Sequence, residues 1–564
     1  MKKSWQYYKQ DSKLAEEISK KFSISKLLAQ ILINKGIVED NEINTFLNPK
    51  RNNFYDPFLM PDMEKAVDRI IKAIKNKEKI LIYGDYDVDG ITSTTVLKKF
   101  LEERGINALY HIPNRLKEGY GLNANALEEK SKQGIQLMIT VDCGISGTEE
   151  IEIAKSMGIE TIITDHHEPG EKLPDAIAVV DAKRKDNKYP FNQLAGVGVV
   201  FKLIQALSIK LGLEEKEYLK YLDLVCLGTI SDIVPLIDEN RVIAKLGLKL
   251  VNVTKNLGLK TLIESAGYHV ADSSTISFGV APRINACGRM GVAEEALNLL
   301  LSEDKEEIIR LARNLNEYNR ERQEKEKIIF ADAVKQINEE EKNNPAIILG
   351  NDGWHHGVTG IVASKITEMY FKPSILVGFE GNEGKGSGRS IPGIDLHEAI
   401  TTCSGNLEKC GGHAMAIGLS VKKEKFKDFK NEVMEYLKTK NIDEISQIIM
   451  IDAVTNLKDI TLKTVEEFNL LEPFGEVNKM PIFCLKNLKI DSIRALTEGK
   501  HLKLTLRDDN MVINAIGFNM GEKVEEYRIG DRVNVIGCLE INEYNGMKNI
   551  QLNLKDIMKA LQNN

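Results

Sequence analysis

Residues 83–90 read Tyr-Gly-Asp-Tyr-Asp-Val-Asp-Gly, so three aspartates alternate directly after a short β-rich run. In an extended chain, residues two apart point to the same side, and the pattern predicts that the three carboxylates converge. Negative charges held this close would raise one another's pKa unless a cation neutralised them. The stretch therefore predicts a bound metal, with an aspartate-rich surface turn as the alternative.

The sequence around this stretch alternates short β-rich runs with polar helical stretches from about residue 79 to residue 181. The β-rich runs are 79–83, 108–112, 137–141, 160–164 and 176–180. Alternation of this kind is typical of βαβ units, which form a parallel sheet covered by helices on both faces. In such sheets ligands bind beyond the carboxyl ends of the strands.

Further polar residues follow two of the other runs. Asp142 follows the run 137–141, and residues 164–168 read Thr-Asp-His-His-Glu at the end of the run 160–164. We expect these groups to emerge at the same rim of the sheet as the aspartates of 83–90. Carboxylates with an imidazole and no thiolate favour Mn²⁺ or Mg²⁺ over structural zinc. A two-metal site that hydrolyses a phosphoester is the chemistry that this many carboxylates favours.

Four motifs occur in order along the chain: DYDVDG at 85–90, VDCG at 141–144, DHH at 165–167 and GTISDIVP at 228–235. This combination resembles the defining motifs of the DHH phosphoesterase superfamily, and most closely those of the RecJ family of single-strand-specific 5′→3′ exonucleases. The resemblance covers essentially the whole chain. It implies an enzyme of DNA repair and recombination that uses two divalent ions, Mn²⁺ or Mg²⁺, and acts on single-stranded DNA, with a helicase and a single-strand-binding protein as candidate partners.

The resemblance also implies roles for residues of these motifs. The implied metal ligands are Asp85, Asp87, Asp142, His166 and Asp232, with Asp89 as a ligand or as the partner of one. His167 would face the scissile phosphate and stabilise or protonate the leaving group. Asp165 would orient the strand end or a neighbouring imidazole.

Three segments with arginine or glycine are candidates for binding phosphate. Residues 112–121 place a cation and glycines after a strand, and 282–290 combine two arginines with asparagine and glycine. Residues 384–390, Gly-Lys-Gly-Ser-Gly-Arg-Ser, predict an anion nest, with a flexible hairpin as the alternative. By the resemblance, Arg115 approaches the terminal 5′ phosphate, Arg283, Asn285 and Arg289 touch the substrate backbone, and Ser387, Arg389 and His413 line a 5′-phosphate pocket.

The rest of the chain predicts further domains. Residues 303–342 are charged with periodic apolar positions, which predicts a long amphipathic helix ended by Pro345 and acting as a spacer. Short strands after Ile449 and the turn Asn545-Gly546 predict a small closed barrel of the OB kind. The predicted organisation is an amino-terminal helical segment at 1–55, a DHH catalytic domain at 56–302, a connecting helix at 303–343, an α/β DHH-associated domain at 344–440 and an OB-fold domain at 449–561.

Composition narrows the possible classes. Of 564 residues 42% are hydrophobic, and the amino terminus has no apolar core behind its charges, which predicts a cytoplasmic protein that does not enter membranes. The seven cysteines lack CxxC spacing and read as free thiols, and Cys403 and Cys410 give only a weak zinc signal. A net charge of -7 does not by itself indicate a nucleic-acid binder, so DNA affinity would require local basic surfaces.

Two other functions are compatible with parts of this pattern. A DHH-type hydrolase of small phosphates, such as pyrophosphate, short oligonucleotides or cyclic dinucleotides, would leave the segment after Ile449 without a role. A scaffold with an inactive core would have no reason to keep all the ligand positions. Residues 354–357, Trp-His-His-Gly, contain a histidine pair that could bind a metal but lack neighbouring carboxylates, so their chemistry stays open. Gly196-Val197-Gly198 reads as packing at the entry of a helix.

Overall fold

The computed structural model describes residues 3–119, 121–544 and 546–560. The strands are β1 (Lys3–Tyr7), β2 (Ile80–Tyr83), β3 (Leu109–His111), β4 (Leu137–Val141), β5 (Glu160–Thr164), β6 (Ala178–Val180), β7 (Ile347–Asp352), β8 (Ser374–Glu380), β9 (Glu383–Arg389), β10 (Lys409–His413), β11 (Ala416–Lys422), β12 (Gln447–Ile451), β13 (Ala453–Thr455), β14 (Phe483–Leu496), β15 (His501–Asp508), β16 (Met511–Gly517), β17 (Arg532–Tyr544) and β18 (Met547–Lys559).

The helices are α1 (Ser12–Phe22), α2 (Lys26–Asn34), α3 (Asp40–Leu47), α4 (Met63–Asn76), α5 (Val88–Glu102), α6 (Ala124–Ser131), α7 (Thr148–Ser156), α8 (Gly196–Lys210), α9 (Lys216–Leu219), α10 (Leu222–Ser231), α11 (Asp238–Val251), α12 (Leu257–Ser265), α13 (Ala281–Arg289), α14 (Ala293–Leu301), α15 (Lys305–Gln336), α16 (Glu339–Asn343), α17 (His356–Tyr370), α18 (Leu396–Thr402), α19 (Phe426–Lys438) and α20 (Leu462–Glu467). A π-helical turn at Thr275–Val280 precedes α13. No helix in the described part of the chain combines the length and the apolar character needed to cross a bilayer.

The chain forms two compact units. One contains residues 57–232 and 250–447, and the other contains 4–56, 233–249 and the chain from 448 on. The first unit holds the two α/β layers and the connecting helix, and the second holds the amino-terminal helices and the barrel.

The first sheet has the strand order β3-β2-β4-β5-β6 and is parallel throughout, which confirms the predicted α/β fold. Strands β2 and β4 are buried along their whole length, as expected for apolar strands covered by helices on both faces. Tyr83 pairs with Thr140, and Val141 pairs with Thr164, so β2, β4 and β5 end at the same rim.

The second sheet has the strand order β10-β11-β9-β8-β7, with only β7 and β8 parallel. The anion nest predicted for 384–390 is wrong, because this segment is the regular strand β9. A nest needs left-handed residues, and none of the glycines of β9 has a positive φ. A Cβ added at Gly384, Gly386 or Gly388 would lie within 3.0 Å of a neighbouring apolar side chain, so these glycines make room for the core of the sheet.

The charged stretch after Leu301 forms α15, whose first turn is capped by the Asp304 carboxylate accepting from the Glu306 N–H (2.9 Å). The helix ends at Gln336, and the short α16 follows before Pro345. The predicted helix is therefore two helices, with Asn338 capping the second by accepting from the Glu341 N–H (2.9 Å).

In the second unit, β14, β15, β16, β18 and β17 form a sheet that is closed by pairing of β14 with β17, which confirms the predicted barrel. Its core is continuous with buried residues of α1, α2 and α3, among them Ile18, Leu28 and Ile43. The sequence did not predict β14. Of the predicted turn Asn545-Gly546, Asn545 lies outside the described residues.

The packing of β9 predicts that Gly386→Ala weakens the second sheet, because its Cβ would lie 2.8 Å from Val377 Cγ2 and 3.1 Å from the Leu376 carbonyl oxygen. We expect a loss of about 1–3 kcal/mol in the free energy of unfolding. Gly418→Ala on β11 is the matched control, since no atom lies within 4 Å of its Cβ. Urea unfolding followed by Trp354 fluorescence in a Trp5→Phe background measures both, and equal midpoints for the two variants would contradict this packing.

Candidate metal centre and phosphate-binding arginines

The polar residues predicted to share one rim of the first sheet do so. Asp85 follows β2, and Asp87 is the N-cap of α5, where its carboxylate accepts from the Gly90 N–H (3.1 Å). Asp142 follows β4 with φ +60°, a left-handed conformation that is uncommon outside glycine and concentrates at functional sites. His166 follows β5, and Asp232 lies at the carboxyl end of α10.

Three predicted ligands, Asp89, Asp142 and Asp232, converge on the His166 imidazole. His166 Nε2 lies 3.1 Å from Asp142 Oδ1, 3.6 Å from Asp232 Oδ2 and 3.8 Å from Asp89 Oδ2. A second group forms beside it, in which oxygens of Asp85, Asp87 and Asp142 lie within 4.8 Å of one another. Two overlapping groups of ligand atoms, joined through Asp142, can hold a pair of divalent ions.

The protonation of these side chains reflects crowding. Burial and neighbouring carboxylates raise the pKa of Asp85, Asp142 and Asp232 well above the ordinary value, and that of Asp89 to about 7. Burial and the nearby His167 lower the pKa of His166 to about 3, so its imidazole is neutral and free to act as a ligand.

Two buried atoms of the centre make no hydrogen bond within the described parts of the chain, namely Asp85 Oδ1 and His166 Nε2. Buried polar atoms are normally satisfied, so atoms of this kind need another partner. Carboxylate oxygens with one imidazole nitrogen are the donor set of Mn²⁺ or Mg²⁺. The residues therefore fit a divalent cation.

Asp89 has a second role that its spacing alone did not predict. Its two oxygens accept from the N–H groups of Gly196 (2.6 Å) and Val197 (2.7 Å) at the start of α8. A Cβ at Gly196 would lie 2.7 Å from Asp142 Oδ1. Gly196, which the sequence indicated only as packing, thus lets a helix N-terminus approach two aspartates of the centre.

Asp165 supports the two histidines. Its Oδ1 accepts from the His166 N–H (2.7 Å) and contacts His167 Nδ1 (2.7 Å), and its Oδ2 accepts from the Ile145 N–H (2.9 Å). Burial opposes protonation of His167, but the hydrogen bond and the charge of Asp165 raise the pKa of His167 above its ordinary value. Adjacent histidines therefore differ, with His166 neutral and His167 prone to carry a proton.

Arginines from three elements lie next to this centre. The Arg115 guanidinium lies over the Tyr86 ring, 5.1 Å from its centroid. Its positive charge favours the ionised form of Asp85 and lowers the pKa of Arg289 and of Arg389. Arg289 donates to the Gly357 carbonyl oxygen (2.9 Å) at the start of α17. Among the described residues, no carboxylate oxygen lies within 4.0 Å of these three guanidinium groups. Clustered arginines without a carboxylate partner are suited to bind an anion.

The remaining predicted phosphate contacts differ in position. Ser387 and Arg389 on β9 face Gly360 of α17, whose added Cβ would lie 3.3 Å from each. His413 is exposed on β10 and pairs with Ala416 of β11, which in turn pairs with Arg389 of β9. His413 therefore lies two strands from Arg389, a separation of about 10 Å. The structure therefore groups Ser387 with Arg389 and leaves His413 apart.

Arg283 and Asn285 are engaged within the fold. Arg283 donates to Asn316 Oδ1 (2.7 Å) and to the Gly279 carbonyl oxygen. Asn285 Oδ1 accepts from the Val88 N–H (3.2 Å) at the start of α5. Arg283 thus links α13 to α15 and to the preceding π-helical turn, whereas Asn285 holds the start of α5 at the aspartate-rich stretch.

Three family models match the chain. They are the DHH family, N-terminal domain, at residues 79–229, the DHHA1 domain at 343–439 and the RecJ OB domain at 451–556.

Named relatives match over most of their length. The single-stranded-DNA-specific exonuclease RecJ of Bacillus subtilis is 39% identical over 98% of this chain and 71% of the relative. The protein of the same name from Thermus thermophilus is 34% identical over 90% of this chain and 73% of the relative. The crystal structure of RecJ from Thermus thermophilus in complex with Mn²⁺ superposes with a TM-score of 0.87 at 30% identity, covering 99% of this chain and 80% of that one.

The close approach of α8 predicts that Gly196→Ala weakens metal binding, because the new methyl group would displace the Asp142 carboxylate. Gly198→Ala is the control on the same helix, because the added Cβ would lie 3.3 Å from the Leu194 side chain and would not contact a metal ligand. We expect Mn²⁺ to raise the melting temperature of the wild type and of Gly198→Ala, and to raise that of Gly196→Ala much less, since a tenfold weaker affinity removes about 1.4 kcal/mol of ligand stabilisation. Equal Mn²⁺ shifts in all three proteins would contradict this role of Gly196.

Proposed function

Because the chain belongs to the RecJ family of single-stranded-DNA-specific exonucleases, we propose that it hydrolyses the phosphodiester bonds of single-stranded DNA in the 5′→3′ direction. The observation that carries this proposal is the convergence of the predicted ligands at the rim of the first sheet. The biological setting proposed with it is DNA repair and recombination in the cytoplasm.

Two divalent ions, Mn²⁺ or Mg²⁺, would be held by Asp85, Asp87, Asp142, His166 and Asp232. Bound there, they would supply an activated water and charge stabilisation for the phosphoester. Asp89 would serve mainly to fix the centre, because its oxygens already accept two N–H groups of α8.

His167 would stabilise the leaving oxygen or give it a proton. Its side chain is 39% exposed, so it is open to a substrate, and its raised pKa favours the protonated form that a general acid needs. Asp165 would orient this imidazole through the contact between its Oδ1 and His167 Nδ1.

The arginines would bind the strand on the other side of the metals. Arg115, Ser387 and Arg389 would form the pocket for the terminal 5′ phosphate, at the first turns of α17. Arg289 would bind the DNA backbone, while Arg283 and Asn285 would support it by ordering α13 and the start of α5. His413 would belong to the edge of the pocket because of its distance from Arg389.

The proposed domains follow the predicted boundaries, with the segment 1–55, the catalytic domain 56–302, the connecting helix 303–343, the substrate-binding domain 344–440 and the OB-fold domain 449–561. The barrel would hold single-stranded DNA on basic and aromatic side chains such as His501 and Phe518, whose rings are 5.4 Å apart. A helicase that unwinds duplexes and a single-strand-binding protein are the proposed partners.

A direct test is a time course of the protein with Mn²⁺ on a single-stranded oligonucleotide labelled at its 3′ end, with and without a 5′ phosphate. We expect a ladder that shortens from the 5′ end, faster with the phosphate and absent in Asp142→Ala. Blunt duplex DNA is the control substrate and should persist. Intact strands together with hydrolysis of pyrophosphate or dinucleotides would instead support a hydrolase of small phosphates.

The unequal histidines predict separable defects. We expect His167→Gln to lower kcat by about 10²–10⁴-fold, as for loss of a general acid, while Mn²⁺ still raises its melting temperature. His166→Gln should lose both cleavage and the Mn²⁺ shift, because it removes a ligand. If His167→Gln lost the Mn²⁺ shift as fully as His166→Gln, the proposed division of roles would be wrong.

A further inference from the structure

The connecting helix α15 carries buried polar side chains that a solvated spacer does not need. Asn319 and Glu326 are 5% and 6% exposed, and the side chain of Arg322 between them is 11% exposed. Arg322 donates to Asn319 Oδ1 (2.6 Å) and forms an ion pair with Glu326. Burying ionised groups is costly, so this arrangement points to a use beyond spacing.

These residues lie where three helices meet. Helix α15 packs against α13 and α17, and Glu326 also pairs with Lys365 of α17. Burial and the charge of Lys325 of α15 lower the pKa of His355, which precedes α17, and Glu321 of α15 opposes this shift. This is also the place where Arg289, at the end of α13, donates to the Gly357 carbonyl oxygen.

Several cations lie close together at this meeting point. The charge of Arg322 acts on Arg289, as do the charges of Arg115 and Arg389, and burial together with these cations lowers the pKa of Arg289 to about 10. Glu326 is the carboxylate that pairs with Arg322, and Lys365 shares it. Partly buried cations this close to one another are stabilised when an anion enters among them.

We infer that Arg322 is a DNA-binding residue contributed by the connecting helix, and that it contacts an internal backbone phosphate of the single strand together with Arg289. Asn319 and Glu326 hold its guanidinium in place for that contact. An internal phosphate is favoured because α15 packs against α13, the helix that ends at Arg289 of the backbone group, whereas the end pocket is built from Arg115, Ser387 and Arg389. The inference rests on the proposed exonuclease function.

The test compares Arg322→Gln with Arg320→Gln, which removes an arginine from the same helix that is 66% exposed and paired with Glu317 in solvent. For a single-stranded oligonucleotide, we expect Arg322→Gln to raise KM about tenfold with kcat retained. It should also reduce the slope of log KM against log salt by about 0.7, the value for one phosphate contact on a single strand. Arg320→Gln should match the wild type.

The end of the substrate distinguishes the two phosphate positions. We expect the same rise in KM for strands with a 5′ phosphate and with a 5′ hydroxyl. A rise confined to 5′-phosphorylated strands would place Arg322 in the end pocket and overturn the internal contact. A wild-type protein that leaves single strands intact would contradict the proposed function itself, which is a different outcome from an unaffected KM in Arg322→Gln.

Two more variants separate substrate binding from bracing of the fold. Arg322→Lys keeps the positive charge, so we expect it to keep the salt slope of the wild type even where Arg322→Gln folds poorly. Glu326→Gln keeps a side-chain oxygen that can accept from Arg322 and hold it in place, but removes the competing negative charge, so KM should stay equal or fall. A KM that rises in Glu326→Gln as much as in Arg322→Gln would identify a structural brace and overturn the inference.

Discussion

The functional centre of the structure is a group of buried carboxylates that repel one another at one rim of a parallel sheet. Asp85, Asp142 and Asp232 are held so close that burial and one another's charges raise their pKa values well above the ordinary range. A core of this kind is unfavourable by itself, and a divalent cation removes the conflict. The fold therefore holds carboxylates together at the ends of β2 and β4, and a divalent cation offsets their repulsion.

Contacts around the centre hold the carboxylates in position, so that they cannot move apart to reduce their repulsion. The N-terminus of α8 supplies two N–H groups to Asp89, and Gly196 lets the helix come within contact of Asp142. Asp142 itself takes a left-handed backbone conformation. Beyond the carboxylates, arginines from separate elements gather without carboxylates of their own, so negative and positive regions lie side by side. A phosphodiester that bridges metals and arginines matches this division of charge.

Much of this arrangement could be predicted from local patterns. The runs that became β2, β4 and β5 are apolar and end in Asp or His, so their common rim followed from the parallel topology. Asp232 lies at the carboxyl end of α10, 66 positions after His166, and no periodicity connects the two, so only the motif resemblance indicated it. The glycines of β9 looked like a nest because spacing does not tell a left-handed turn from a strand packed against bulky neighbours. Arg322 was hidden for a similar reason, since a charged helix looks solvated until its neighbours are known.

We expect the crowded carboxylates to give up protons when a divalent ion binds. Calorimetric titration of the metal-free protein with Mn²⁺ at pH 6, in buffers of different ionisation enthalpy, measures both the number of ions and the protons released. We expect about two ions per chain with net proton release, and less release in Asp142→Asn. Binding of Mn²⁺ without any release of protons in the wild type would contradict this expectation.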